Sequence, residues 1–557
     1  MTDALTADSA VIADLFHGLR GGLPVTTAAY PLPGPLYACL RRKGRRVGEV
    51  WVETGSLAAA FADLLPQLQA VEADSLGLCL THNWRSISPD RFDQVFTKAA
   101  QGKLGIAVTW DGQERRLAPL SAIASNRSFR RWLDRQPAAP GQSLADVLSV
   151  GANVRAFAAR QLHIAPLTGA SRAPTCTPLF HGAPLVPPES FDLAELDRLI
   201  EGMTAWMQAS LREDGHLTYK YWPSRGEDSK ADSPIRRFMA TRVLIQVAGV
   251  RQDAAQMGRA AANLQFNLDR FYRSEEDLGL IEWQGQVKLG AVALAALAIL
   301  EHPNAERWGE IYHRLSATVD ALHRPDGSFR SFLRPAERND NQNFYPGEAL
   351  LFWAKRLTRD PDQELAERFH TSFTYYRAWH RAARNPAFVP WHSQAYAHAF
   401  GVSRASEMRD FVLEMNDWLL PLQQWGRPLA PVFWGRFYDP GRPDFGPPHA
   451  SSTGVYIEGL AAALALALKA RDRSRAAGFE RAIWRAARNL RQLQFKDPVD
   501  AFYIQKRSRV LGGLRTEAYN NEIRVDNVQH GLAGLLVARP LLRQTSLSAA
   551  ERACGND

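Results

Sequence analysis

The residues best placed to do chemistry sit where polar loops run into apolar segments. Near the end of the chain, Arg524-Val-Asp-Asn-Val-Gln-His530 opens such a segment. Asp526 and His530 are four residues apart, so on a helix they share one face. Arg524 falls on the far side of an ideal helix and joins them only if the chain before the first turn is extended. Two glutamates occupy comparable places: Glu348 in Tyr345-Pro-Gly-Glu-Ala-Leu-Leu and Glu458 in Tyr456-Ile-Glu-Gly-Leu. Ionisable groups at the mouth of an apolar helix are costly unless they face a wet cavity. A pair of carboxylates across such a cavity suits glycoside hydrolysis. Each group also has a plain structural reading. Glu348 and Glu458 fit first-turn capping or dipole partners, and Asp526 fits a brace for Arg515 or Arg524. His392 and His530 fit core histidines, and Lys288 fits half of a buried ion pair.

The elements that must position these groups repeat along the chain. An amphipathic helix is followed by a loop with a turn signal, a short aromatic stretch and a more apolar helix. This plan recurs in 213–250, 276–300, 325–355, 385–400, 443–469 and 500–539, with amphipathic helices such as 306–323, 362–384 and 473–494 between. A helix touched on all sides must be apolar throughout, whereas an outer helix needs one apolar stripe. Six such pairs predict a mainly α fold, an (α/α)6 toroid, in which the polar starts of the inner helices converge on one cavity. Those starts carry Arg225 and Arg236, Trp283 and Lys288, Tyr345 and Glu348, Trp391 and Gln394, His449 and Tyr456, and finally Arg515 to His530.

Ahead of the toroid (191–545), residues 1–135 read as a small α/β domain and 136–190 as a Pro/Ala/Gly-rich connector with short helices. Residues 1–20 read as an amphipathic arm, and 546–557 as a polar tail. Segments 36–40 and 47–52 flank a basic hairpin tip, 56–71 is helical by period, and Asp111-Gly112 marks a second hairpin.

Composition narrows the function classes. The net charge of +9 suits an anionic ligand, although an arginine-rich composition also follows from codon bias. No basic run interleaved with aromatics marks a nucleic-acid surface. The 4 cysteines are scattered, which argues against a disulfide framework or a cysteine zinc site. There is no P-loop, dinucleotide fingerprint, HExxH motif or calcium-loop spacing, so neither cofactor nor metal is expected. No basic, apolar leader opens the chain, and residues 289–300 are the longest apolar candidate, so the expectation is a cytoplasmic protein without a membrane segment. Nothing in the sequence sets an oligomeric state.

The six-hairpin plan resembles the α/α-toroid carbohydrate-active enzymes: glycosidases, polysaccharide lyases and sugar epimerases. Within that group, Arg524-Val-Asp-Asn-Val-Gln-His530 resembles the R-x-D-x-x-x-H ending of D-glucuronyl C5-epimerases. The resemblance implies a small-molecule or oligosaccharide substrate of acidic, uronate type. Glu348, Glu458, Asp526, His530, Tyr345 and His392 would serve as acids and bases on opposite faces of the ring. Arg225, Lys288, Trp283, Trp391, Gln394, Tyr456, Arg515 and Arg524 would bind it, with Arg and Lys on the carboxylate. Hydrolysis by paired carboxylates, and a non-catalytic binding or scaffold toroid, are the alternatives. Lanthionine and terpene cyclases share the toroid, but their cysteine zinc site and Asp-rich motif are missing here. The N-terminal region resembles the AMMECR-type domain through LRRKGRRVG (40–48) and through 105–120, where that family has a strand leading to a Leu/Pro segment. Glu49 follows Gly48 where that family has a cysteine.

Overall fold

The computed structural model describes residue 12 and residues 31–544, apart from 54, 140, 147, 149–150 and 168–173. The expected arm at 1–20, but for residue 12, and the tail at 546–557 lie outside the described residues.

The N-terminal domain is one antiparallel sheet with short helices. Its main elements are β1 (Leu36–Arg42), β2 (Arg45–Val52), α1 (Leu57–Ala70), β3 (Ser75–Ile87), β4 (Leu104–Trp110), β5 (Gln113–Leu117), α2 (Pro119–Ser125), β6 (Asn153–Ala165) and β7 (Thr175–Leu179). The strand order is β2-β1-β3-β6-β4-β5, with β7 also paired to β6. Both expected hairpins form. Their tips, Lys43-Gly44 and Asp111-Gly112, have positive φ at both residues, as tight two-residue turns require. Gly44 is held to glycine twice over, because a Cβ there would lie 2.2 Å from the Ile504 carbonyl of the toroid.

The segment 136–190 differs from its expected role. Besides a short 3-10 helix at Pro188–Ser190 and a two-stranded ribbon at Pro137–Ala139 and Gln142–Ser143, it supplies β6 and β7, and β6 lies between β3 and β4 in the middle of the sheet. Pro, Ala and Gly around it mask a strand whose Val154, Ala156, Phe157, Leu162 and Ile164 are buried. The sheet therefore runs on past 135 to Leu179.

From residue 193 onward the chain is helical hairpins. The outer helices are α3 (Leu193–Ser210), α5 (Ala254–Phe271), α7 (Gly309–Ala321), α9 (Gln363–Ala382), α11 (Ser406–Leu419) and α13 (Arg473–Leu493). The inner helices are α4 (Pro234–Arg251), α6 (Leu289–Glu301), α8 (Tyr345–Arg359), α10 (Val389–Ser403), α12 (Ala450–Ala470) and α14 (Val525–Leu542). Each inner helix packs on the next, and α14 packs back on α4, which closes the ring. The fold is an (α/α)6 toroid preceded by a small α/β domain. In α6 every residue from Leu289 to Ile299 is buried, as a helix walled in by neighbours must be.

The two rings end differently. Asp192, Asp253, Asp362 and Asp472 cap outer helices, each accepting a backbone N–H at the helix start. Of the inner helices, only α12 has a side-chain cap, from His449; α4, α6, α8, α10 and α14 have none. Their free N–H groups leave positive potential at the end where the inner helices begin.

At that end a four-stranded sheet forms from β8 (Lys220–Trp222), β9 (Glu227–Asp228), β10 (Arg515–Glu517) and β11 (Asn520–Arg524), in the order β9-β8-β11-β10. Among the described residues, helix α12 of 21 residues, rather than 289–300, is the segment long and apolar enough to cross a membrane, with a mean hydropathy of 1.4 over an 18-residue window. It is an inner helix of the ring, between α10 and α14.

Candidate functional site

The inner helices start around a cavity of about 380 Å³. Arg236 comes from α4, Tyr345 and Glu348 from α8, Trp391 from α10, His449 and Tyr456 from the start of α12, and Asp526, Gln529 and His530 from α14. The loop at 437–447 covers one side.

Strand β11 is extended up to Arg524, which caps α14 with φ −120°. Arg524 therefore reaches Asp526, its Nε donating to Oδ1 at 2.9 Å and its Nη2 to Oδ2. Arg236 Nε donates to the same Oδ2 at 2.8 Å. Burial opposes ionisation of Asp526, but Arg236 and Arg524 outweigh it and hold the carboxyl well below the usual carboxylate range. Two guanidiniums on one carboxylate leave a surplus positive charge beside the cavity.

Glu348 has the opposite environment. It is 3 % exposed, its Oε2 has no hydrogen-bond partner among the described residues, and that oxygen fits only because residue 290 is glycine. Burial pushes its carboxyl up to about 8 against the pull of Arg236, so it is a neutral acid at pH 7.

Glu458 lies in the third turn of α12 rather than the first, since the helix begins at Ala450 with His449 as its cap. Both of its oxygens are engaged. His530 Nδ1–H donates to Oε1 at 2.7 Å, and Gln394 Nε2 donates to Oε2 at 3.0 Å. The dyad fixes the imidazole and leaves Nε2 as the nitrogen available to a ligand, with Trp391 edge-on at 6.0 Å.

His449 is set by its cap. Its Nδ1 accepts from the Ser452 N–H at 3.0 Å and from the Ser451 hydroxyl at 2.7 Å, so the ring proton belongs on Nε2. Burial and then Arg524 lower it to about 4, which keeps it a neutral donor. Burial also raises the hydroxyls of Tyr345 and Tyr456.

The ring thus gathers Glu348, Asp526, His530, Tyr345, Trp391, Tyr456 and Arg524 on one cavity, with Glu458 and Gln394 directly behind His530. Five expected residues are elsewhere. His392 is a core histidine, stacked on Phe388 at 3.4 Å with Nδ1–H donating to the Phe388 carbonyl, and burial lowers it to about 3. Arg515 is buried behind the site, donating to the Asp500 carbonyl. Trp283 packs on Phe271 and Arg270. Lys288 caps α6 outside the cavity lining, lowered by burial and then by Arg338 and Arg236. Arg225 lies over Trp222 at 4.8 Å, in a separate cleft. Conversely, Arg236, His449, Gln529 and Asn341 line the cavity without having been assigned a role. Arg236 had a signal: it is a cation two residues after Pro234, in the first turn of an inner helix.

No protein-family model matches the sequence, and neither does any curated protein. Similar solved structures include a D-mannose isomerase (11% identity, TM-score 0.46, covering 65% of this chain and 100% of that one). A cellobiose 2-epimerase from Bacillus thermoamylovorans B4167 (10%, 0.46, 62% and 98%) is another. So is the GH76A α-1,6-mannanase from Salegentibacter sp. HEL1_6 (12%, 0.45, 63% and 99%). The toroid assignment rests on the closed ring of helices itself.

Proposed function

We propose that this protein is a carbohydrate-active enzyme that moves a proton at a sugar carbon next to a carbonyl or carboxyl group, an epimerase or isomerase of an acidic, uronate-type sugar. The observation that supports it is the Glu458–His530 dyad set into the same cavity as a neutral Glu348 and a neutral His449. In this reading His530 Nε2 takes the proton from carbon, and Glu458, acting through His530, steadies the imidazolium. The C–H electron pair moves into a C=C bond, and the developing oxyanion takes a hydrogen bond from His449 Nε2–H and a proton from Glu348. The enol then returns its proton to Glu348 as the C=C electron pair goes back to carbon, which takes a proton from the opposite side, from the Tyr345 hydroxyl in this reading. Exchange with solvent strips His530 of its proton and restores that of Tyr345. The surplus charge of Arg236 and Arg524 over Asp526, together with the uncapped inner-helix starts, favours a substrate carboxylate.

Two-carboxylate hydrolysis fits less well. It needs oxygens free to meet water and sugar, yet both oxygens of Glu458 and both of Asp526 are already engaged. A hydrolase would have to pair Glu348 with Asp439, which with Asp526 completes the carboxylates of the cavity wall among the described residues.

The test is NMR of uronates, neutral aldoses and their oligomers mixed with the protein in deuterated water. Deuterium entering a sugar carbon without cleavage is expected. New reducing ends would replace the proposal with hydrolysis, and an unchanged panel would overturn the carbohydrate assignment.

A further inference from the structure

A second cavity, of about 1440 Å³, lies between the N-terminal domain and the toroid. Its wall carries nine cationic side chains against three acidic ones. Some of these cations are neutralised locally: Arg46 pairs with Glu49 at 2.7 Å, and Arg116 with Glu114 and Glu53. Arg127, Arg131, Arg135 and Arg225 have no ion pair among the described residues. Three of them follow α2 within ten residues, and Arg225 comes from the turn after β8 on the toroid side, so both domains contribute. The two sides are tied to each other. Asn126 Nδ2 donates to Asn520 Oδ1 at 3.0 Å, and Asn521 Nδ2 donates to the Ile123 carbonyl at 2.9 Å.

We propose that this cleft binds a small molecule carrying two or more phosphate groups, with Arg127, Arg131, Arg135 and Arg225 as its ligands. Planar guanidinium forks match phosphate oxygens two at a time. Four of them without an ion pair, on a wall whose cations outnumber its three acidic side chains (Glu49, Asp134 and Glu522), call for negative charge more concentrated than the single carboxylate of each uronate ring. The arginines already crowd one another: burial and then the charges of Arg135 and Arg225 lower Arg127. Trp132 and Tyr519 on the walls offer faces for an attached ring. None of these residues lines the toroid cavity, so the proposal stands apart from the sugar chemistry. The sites share a partition, because β8 and β11 carry Trp222 and Glu522 on the cleft side and lead to Arg524 in the toroid cavity.

The test is isothermal titration of the full chain with inorganic triphosphate, ATP and a short oligothymidylate. Triphosphate and ATP should bind. The double variant Arg127→Gln/Arg225→Gln, both at exposed positions, should weaken both by more than about tenfold. Arg42→Gln, a basic residue outside the cleft lining and paired with Glu72, should leave affinity unchanged and so control for net charge. No binding at millimolar triphosphate, or equal affinity in the double variant, would overturn the proposal. Tighter binding of the oligothymidylate than of ATP would overturn the small-molecule assignment.

Discussion

Glu348 shows what burial does to a single carboxyl. In the unfolded chain it titrates near 4.5, and in the folded protein at about 8. Below pH 4.5 it is protonated in both states and costs nothing. Between pH 4.5 and 8 the unfolded chain releases the proton while the folded protein keeps it, so stability falls as pH rises through this window. Glu348→Gln has no proton to lose. In urea unfolding it should match the parent near pH 4 and exceed it by about 2–4 kcal/mol at pH 9. In the activity found by NMR it should lose about 10²–10⁴-fold in kcat, because an amide cannot donate the proton. Equal stability at both pH values would show that the carboxyl is not held neutral.

At the level of elements, the dyad depends on how closely α12 and α14 approach. A Cβ on Gly454 would lie 2.4 Å from the backbone nitrogen of Gly531, and one on Gly534 would lie 2.9 Å from that of Glu458. Glycine at these crossings lets Glu458 reach His530. Gly454→Ala must push the helices apart, with an expected cost of about 1–3 kcal/mol and a matching fall in activity. Gly258→Ala, on the exposed face of α5 with nothing near its Cβ, should instead stabilise by about 0.5–1 kcal/mol. Urea unfolding of the two variants decides, and equal effects would refute the close-packing argument.

The whole molecule behaves as one cooperative unit on this reading. The largest core cluster runs from Tyr37, Cys39 and Leu120 in the first domain through all six inner helices, beside two smaller clusters confined to the first domain. Buried Arg488 on α13 reinforces it, donating from Nε to the Val186 carbonyl at 2.9 Å and from Nη1 to the Pro431 carbonyl at 2.6 Å. Calorimetry should show one unfolding transition for both domains. Arg488→Met should shift it downward by about 2–4 kcal/mol, since it leaves buried carbonyls unsatisfied. Two separate transitions in the parent protein would contradict the shared core.

Local physics made much of this legible in advance. Helix periodicity and hairpin tips depend on residues a few positions apart, so the six helical pairs and the turns at Lys43-Gly44 and Asp111-Gly112 follow from the sequence alone. The convergence of polar helix starts follows from the same repeat. Strand β6 was hidden, because its place in the sheet is decided by β3 and β4 rather than by its own composition. The division of labour among polar residues was also out of reach. Trp391 lines the cavity while its neighbour His392 turns into the core, a matter of helix rotation that only packing sets. Glu458 meets His530 across 72 positions, and Arg236 meets Asp526 across 290. Ring closure creates those pairs, and with them the split between a carboxylate locked by arginines, a neutral acid and an oriented histidine. Types and rough places of the chemical groups are thus sequence properties, whereas protonation and partnership belong to the tertiary structure, because burial and long-range charge set them.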